Sequence, residues 1–268
     1  MKKRIDIVAL LRWTYRDELP KMPYLGGDWG DVAPMWRSID RYGELLTLID
    51  DQRNRFGLVP DFGASTLPHP DAYAVYDAVQ ELDCYEFAIP EGWDPLDDMS
   101  GLGTHGVAAV TRALDIITVT DAAGVRRLRK PMSMLIMQRA IMGGVPEWEG
   151  DQPEVKPVRE NGAIKWFRRV YIPLDHEGFG GYEVEVDGFN TRKRVPYPDA
   201  YKKYYLDPDP QETIIGRAEY ELWLSALGQL VTMLADRLDI WTVTGENMPK
   251  RPWLERLPDK AILPDLRR

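Results

Sequence analysis

Hydrophobic positions in this chain keep a helical period over the first hundred residues, an alternating period between about 155 and 196, and a helical period again after residue 210. The first helical stretch spans 7–19. Asp6 is placed to cap its start, Ile7, Leu10, Leu11 and Leu19 are its apolar positions, and Pro20 is expected to end it. A glycine-rich loop over 24–30 follows, and Pro34 suits the first turn of a second helix carrying Met35, Trp36, Ile39, Tyr42, Leu46 and Ile49. Pro70 opens a third, with Ala72, Val75, Tyr76, Val79 and Leu82 along one side.

Past residue 100 the texture is mixed. Residues 105–114 read as helix and 116–120 as strand, and a turn at 121–124 leads into a second strand over 125–128. Pro131 opens a helix over 132–142 that Gly143-Gly144 closes. Within 155–196, Asn161-Gly162 between two extended runs signals a two-residue hairpin, and Val184 and Val186 alternate with Glu183, Glu185 and Asp187 before a turn at Asp187-Gly188. The longest helix is expected over 212–238, with Ile215, Leu222, Leu227, Leu230, Leu234 and Leu238 on a broad apolar stripe. A tail with Pro249, Pro252, Pro258 and Pro264 carries Trp253 and is expected to lie extended on its own body or on a neighbour. Leu114-Asp-Ile-Ile-Thr-Val-Thr120 echoes Leu238-Asp-Ile-Trp-Thr-Val-Thr244, which reads as two similar exits from helix into strand, since the flanks do not align.

With 268 residues, nine Trp and thirteen Tyr, the chain can bury a sizeable core as one large domain or two packed ones. The division expected is a mainly helical part over 1–100 and a mixed part over 101–268, which can be continuous. Cys84 is the single cysteine, so an intrachain disulfide and a multi-thiolate zinc site are excluded, and beside Tyr85 and Phe87 its thiol is expected to be buried and inert. Met1-Lys2-Lys3-Arg4 leads into an apolar run broken by Asp6 and Arg12, without a small-residue cleavage site, and no stretch reaches the roughly 20 apolar residues of a membrane span. These features point to a cytoplasmic protein with no membrane contact.

Charge changes the picture. The chain is acidic, with 34 Lys and Arg against 43 Asp and Glu, yet residues 125–203 hold 15 against 11, which leaves 19 against 32 elsewhere. The cations cluster beside aromatics: Arg126, Arg127, Arg129 and Lys130 after a turn, Lys165, Trp166, Arg168 and Arg169 along a strand, and Arg192, Lys193 and Arg194 near Tyr197. Such clusters fit phosphate or an acidic protein. On the strand, Trp166 could stack a base, but alternation puts Lys165, Phe167 and Arg169 on one face and Trp166, Arg168 and Val170 on the other. The competing account is a half-buried strand whose cationic stems cover apolar surface. The helix over 105–114 and the basic hairpin after it resemble a winged helix-turn-helix in outline, although Thr111 and Arg112 are that helix's main polar contacts and no partner helix precedes it.

Catalytic constellations are sparse. Glu183, Glu185 and Asp187 on one strand face, with His176 nearby, could hold a divalent cation, but a solvated strand face gives the same pattern. Asp151, Glu154 and Lys156 are too generic for a nuclease centre. His69 stands at a helix start, where capping is the natural role, and His105 lies at the start of another. No metal, cofactor or catalytic residue is assigned.

The segment Leu10-Leu11-Arg12-Trp13-Thr14-Tyr15-Arg16-Asp17-Glu18-Leu19-Pro20, taken with Arg217-Ala-Glu-Tyr-Glu-Leu-Trp223, resembles an uncharacterised family encoded in alphaproteobacterial phage or prophage regions. That resemblance implies a phage-associated protein and brings no activity or functional residue with it. The expected fold is α+β: a helical N-terminal part, a small antiparallel sheet, and a long central helix packed against that sheet. The expected function is a non-enzymatic binding protein that contacts nucleic acid or an acidic partner through its basic aromatic surface. The alternative is an assembly protein forming homo-oligomers, with the basic region and the Trp253 tail meeting another copy, and a metal-dependent enzyme ranks third.

Overall fold

The computed structural model describes residues 2–21, 67–85, 88–122, 124–173, 180–245 and 247–255. The expectations for the loop at 24–30, the helix at 35–49, His176, Phe87, Pro258 and Pro264 lie outside these residues. The fold is mixed α+β, as the periodicities imply.

The chain begins with strand β1 (Lys3–Asp6), which no periodicity announced, and enters helix α1 (Ile7–Arg12). The Asp6 carboxylate caps α1, accepting the Ala9 N–H at 2.9 Å. The helical path then widens into a π-helical turn over Trp13–Glu18 and tightens into a 3-10 turn over Leu19–Lys21. Leu19 donates its N–H to Thr14 O, five residues back, and Pro20, with no N–H to give, lies in the closing turn. Pro20 therefore closes the segment as expected, but through π and 3-10 geometry.

Helix α2 (Pro70–Glu81) is capped by His69, whose Nδ1 accepts the Asp71 N–H at 3.1 Å. Helix α3 (Gly103–Ile117) runs two to three residues beyond its expected range at each end, so Ile116 and Ile117 are helical. Thr118 ends it, donating its hydroxyl to Leu114 O at 2.6 Å. Strands β2 (Thr118–Thr120) and β3 (Arg126–Leu128) then form the expected antiparallel hairpin. Helix α4 (Met132–Met142) stops at Gly143, whose φ of 80° suits glycine.

The β region runs through β4 (Glu154–Pro157), β5 (Arg159–Glu160), β6 (Ala163–Ile164), β7 (Trp166–Pro173), β8 (Gly181–Asp187), β9 (Phe189–Asn190), β10 (Val195–Pro196), β11 (Tyr201–Lys202) and β12 (Tyr204–Asp207). It is several small antiparallel sheets rather than one: β11-β7-β8, β4-β12, β5-β6 and β9-β10. Asn161 and Gly162, both at positive φ, turn β5 into β6 as their sequence signals. β4 pairs with β12 from Glu154 opposite Asp207 to Pro157 opposite Tyr204, so the chain leaves and rejoins the body at one two-stranded stem. The segment beyond that stem is called the arm below.

Helix α5 (Gln211–Leu234) is the spine. Its apolar stripe continues to Leu238, but a turn follows residue 234 and Leu238 enters the core from that turn. Strand β13 (Trp241–Thr244) then pairs in parallel with β1. Asp71, buried in the first turn of α2, accepts the Asp239 and Ile240 N–H groups at 2.7 and 3.0 Å and so fixes the approach to β13.

Two cores share α5. The larger packs Ile7, Leu10 and Tyr15 against Val75 and Val79 of α2, Ile136 of α4, and Trp223, Leu227, Leu230 and Leu234 of α5. The smaller joins Leu96, Leu102, Ala109, Ala113 and Leu206 around Ile214. The larger core draws on residues from both sides of residue 100. The long helix is accordingly covered mainly by helices. The expectation that it packs against the 155–196 sheet is corrected, because of the strands between 154 and 207 only β12, through Leu206, places a buried residue in a core of α5.

Glu18 adds a pH dependence. Burial pushes its carboxyl upward, but hydrogen bonds from Lys21 Nζ and the His69 N–H, at 2.7 and 2.9 Å, outweigh that and hold it below the usual glutamate value. A carboxylate lowered on folding contributes stability above its unfolded pKa, and that contribution is lost as pH falls through the folded value. Glu18→Gln is expected to flatten the acid limb of the stability curve, measured as urea midpoints from neutral pH downward. An unchanged acid limb would mean that Glu18 does not sense folding.

Candidate interaction surfaces

The basic clusters sit on separate elements. In the hairpin, Arg127 is paired with Asp121 at 3.0 Å. Arg129, though exposed, folds back over the end of α3, where Nε donates to Ile116 O and Nη2 to Asp115 O and Thr118 O. Arg126 and Lys130 have no side-chain partner among the described residues. The hairpin borders a cleft of about 440 Å³, whose apolar wall includes Leu82, Met132, Leu222 and Ala226 and whose rim includes Arg126 and Arg127. Asp83 lines it as well, but its carboxylate is engaged by Ser133 N–H and Oγ, at 2.9 and 2.5 Å, at the start of α4.

On β7 and at Lys165 just before it, each cation has its own carboxylate partner. Lys165 pairs with Glu160 at 3.1 Å, Arg168 with Asp199 at 3.3 Å and Arg169 with Glu183 at 3.6 Å. The Arg168 guanidinium also lies 4.3 Å from the centre of the Tyr197 ring, and Lys202 caps Trp166 at 4.8 Å. The strand alternates as its sequence requires, and its Trp166 face is occupied by Lys202 rather than open for stacking. Arg192, Lys193 and Arg194 project from the β9–β10 turn, where Asn190 Oδ1 accepts the Arg192 and Lys193 backbone N–H groups. Their side chains have no partner among the described residues, whereas Arg159 donates to Gly162 O and Lys202 lies over the Trp166 ring.

The carboxylates of β8 are equally committed. Glu185 accepts Lys203 Nζ at 2.6 Å and Tyr201 OH at 2.8 Å, and these bonds lower its pKa. Asp187 Oδ1 accepts the Phe189 N–H, and Lys156 lies between Asp207 and Glu154. Among the described residues no group of three or more His, Cys, Asp and Glu is arranged to hold a metal ion. The His105 ring faces the Tyr204 ring, with centroids 6.1 Å apart. Cys84 is exposed, which corrects the expectation of a buried thiol: the 3-10 turn Leu82–Cys84 sends Leu82 into the core and leaves the next residues outside.

Sequence reasoning missed the clamp on α5. Arg217, at 2% exposure, donates Nε to Trp148 O, Nη1 to Pro95 O, and both terminal nitrogens to Asp98. One turn on, Glu221 accepts Trp93 Nε1 and Arg251 Nε, both at 2.8 Å, and Asp97 accepts Arg251 Nη1 and Trp253 Nε1. Trp253 is thereby docked on its own chain against Tyr220 and Trp148, so the tail as far as residue 255 lies on the body and this tryptophan is not open to another copy. The Arg217–Trp223 motif is structural: it ties two loops and the tail to α5. The only advance signal was two arginines and several tryptophans among acidic residues.

The arm was only half legible. Between Pro153 and Leu206, Gly188 is the one described residue that is buried. Apolar side chains nonetheless remain exposed there, among them Tyr171, Tyr182, Phe189, Val195 and Tyr205. Among the described residues no helix is long and apolar enough to cross a membrane. No protein-family model, curated protein or solved structure matches the chain.

Proposed function

We propose that this is a non-enzymatic, phage-associated interaction protein in which the helical body mounts the β arm and the arm is the contact surface for a macromolecular partner. One observation carries the reading: the chain leaves the body and rejoins it through a single two-stranded stem, and among the described residues beyond that stem only Gly188 is fully buried. A small sheet without a covered apolar face has little to offset the conformational entropy of ordering it. Exposed apolar residues gathered on such an element mark an interaction site.

The partner class that these contacts favour is protein. Lys165, Arg168 and Arg169 are each held by a carboxylate of the same arm, which leaves them little charge to offer a phosphate backbone. Nucleic acid stays as the second reading on one observation, the unpartnered Arg192, Lys193 and Arg194 at the turn, with Arg126 and Lys130 on the hairpin.

Excision tests the central claim. Pro157 and Tyr204 are direct neighbours across the stem, so an Asn-Gly turn can replace residues 158–203. The shortened protein is expected to melt within a few degrees of the full chain, by calorimetry or circular dichroism. A body that no longer folds would make the arm part of the core and end the proposal.

A further inference from the structure

The cleft beside the β2–β3 hairpin belongs to the body. Its walls come from the segment after α2, from β3 and the turn into α4, and from α5, and no described residue of the arm lines it. Its floor is apolar, with Leu82 and Ala226 of the larger core and Met132 and Leu222 beside them. Its charge is unlike that of the molecule as a whole. A chain of formal net charge -9 lines this cleft with Arg126, Arg127 and Arg129 and, among the described residues, with the single carboxylate of Asp83. That carboxylate is already committed to the Ser133 N–H and hydroxyl. The arginines are not fully committed. Arg127 donates Nε to Asp121, Arg129 donates Nε and Nη2 to backbone carbonyls, and Arg126 donates to no described residue, so each keeps a terminal nitrogen without a partner among the described residues.

We propose that this cleft binds a small organic anion, an acidic head on an apolar body, with the head held at Arg126. Such a site stands whether or not the arm is a contact surface. Its volume of about 440 Å³ lies within the range of small-molecule clefts, roughly 300–1,000 Å³. Charge and floor together select the ligand. Arginines gathered in a cleft with apolar walls focus their field and concentrate anions there, even on an acidic protein. A guanidinium offers parallel N–H groups that fit a carboxylate, sulfonate or phosphate head. Burying an apolar body against the floor adds the hydrophobic part of the affinity. Arg126 is the arginine that the fold does not use: Arg127 is tied to the hairpin's own turn and Arg129 to the end of α3, whereas Arg126 fastens nothing described. A phosphate backbone leaves the apolar floor uncovered, and a neutral ligand leaves the arginines unanswered. An amphipathic anion answers both.

Fluorescence titration of the full chain with anilinonaphthalene sulfonate, an amphipathic anion that brightens when its rings leave water, is the experiment. Octanoate and octanol are the competitors, alike in apolar body and different in head. Arg126→Ala removes the partner of the head. Ser225→Trp fills the cleft from an exposed position on α5, and Gln229→Trp, exposed on the same wall, replaces it if that variant does not fold. Arg192→Ala, which removes a cation of the arm, is the control, and melting of each variant verifies its fold. The expected result is saturable binding that weakens with salt and is displaced by octanoate in preference to octanol. Arg126→Ala is expected to weaken it roughly tenfold, the loss of one charge-assisted hydrogen bond, while the tryptophan abolishes it and Arg192→Ala leaves it unchanged. Absence of binding overturns the proposal, as does binding indifferent to both Arg126→Ala and the tryptophan. Octanol displacing the probe as well as octanoate does so too, because the more hydrophobic competitor prevails where only the apolar floor counts. Equal weakening by Arg192→Ala would reduce the effect to general attraction between charges and likewise end the assignment.

Discussion

Replacing Arg217 by alanine is expected to cost about 3–5 kcal/mol of folding stability, the range for breaking a buried ion pair from one side. The guanidinium is 2% exposed and every edge of it is used. Nε lies 3.0 Å from Trp148 O, Nη1 2.7 Å from Pro95 O, the Asp98 carboxylate is gripped through both terminal nitrogens, and the Trp253 ring lies 4.9 Å from Cζ. Truncation leaves two carbonyl oxygens without donors, a carboxylate without its cation, and an indole without its platform. Unsatisfied buried groups cost more than the net worth of the bonds they made. Arg217→Lys is expected to recover only a minor part, since a point charge on a flexible stem cannot replace a planar fork reaching three segments. Urea unfolding measures both variants. A loss below about 1 kcal/mol for alanine would mean that water takes the place of the guanidinium and that the clamp is not a stability element.

The clamp also shows why sequence reading found the fold more readily than the contacts. The helices at 70–81 and 132–142 were legible because their apolar residues repeat at helical spacing after an opening proline. The long helix was legible from its apolar period alone, which carried its expected end to 238 although the helix stops at 234, and the hairpins because Asn161-Gly162 and the turn at 121–124 are local signals. β1 was hidden because a four-residue strand, Lys-Arg-Ile-Asp, has almost no alternation, and its partner β13 lies more than 230 residues away. Arg217, Asp98 and Trp253 meet for the same long-range reason, and no local pattern announces a side chain whose partners come from three distant segments. On the arm, alternation sorted the β7 and β8 residues to their faces. It could not tell that Lys165, Arg168 and Arg169 would be answered by Glu160, Asp199 and Glu183, because pairing depends on register. The cations at 165–169 that stand out in the sequence are therefore each answered by a carboxylate in the fold.

Gly216→Ala and Gly228→Ala, two identical changes in one helix, are expected to move stability in opposite directions. Alanine normally favours a helix interior by about 0.8–1 kcal/mol over glycine. At Gly228 a new Cβ meets nothing within 4 Å, so the substitution should stabilise by that order. At Gly216 the same methyl would lie 1.9 Å from Glu147 O and 3.1 Å from Glu147 C, because the segment after α4 crosses α5 with its backbone against the glycine. A backbone carbonyl cannot step aside as a flexible side chain can. Segment 147–150 must lift, and with it goes Trp148 O, the acceptor of Arg217 Nε. Overpacking of this kind costs about 1–3 kcal/mol, and the stranded donor adds about 1–3 kcal/mol more, which overwhelms the propensity gain. Calorimetry of the two variants side by side checks the claim with its own internal control. If Gly216→Ala raises the melting temperature as Gly228→Ala does, the crossing is loose, Arg217 is held by Asp98 and Pro95 alone, and the cost assigned to its truncation must shrink accordingly.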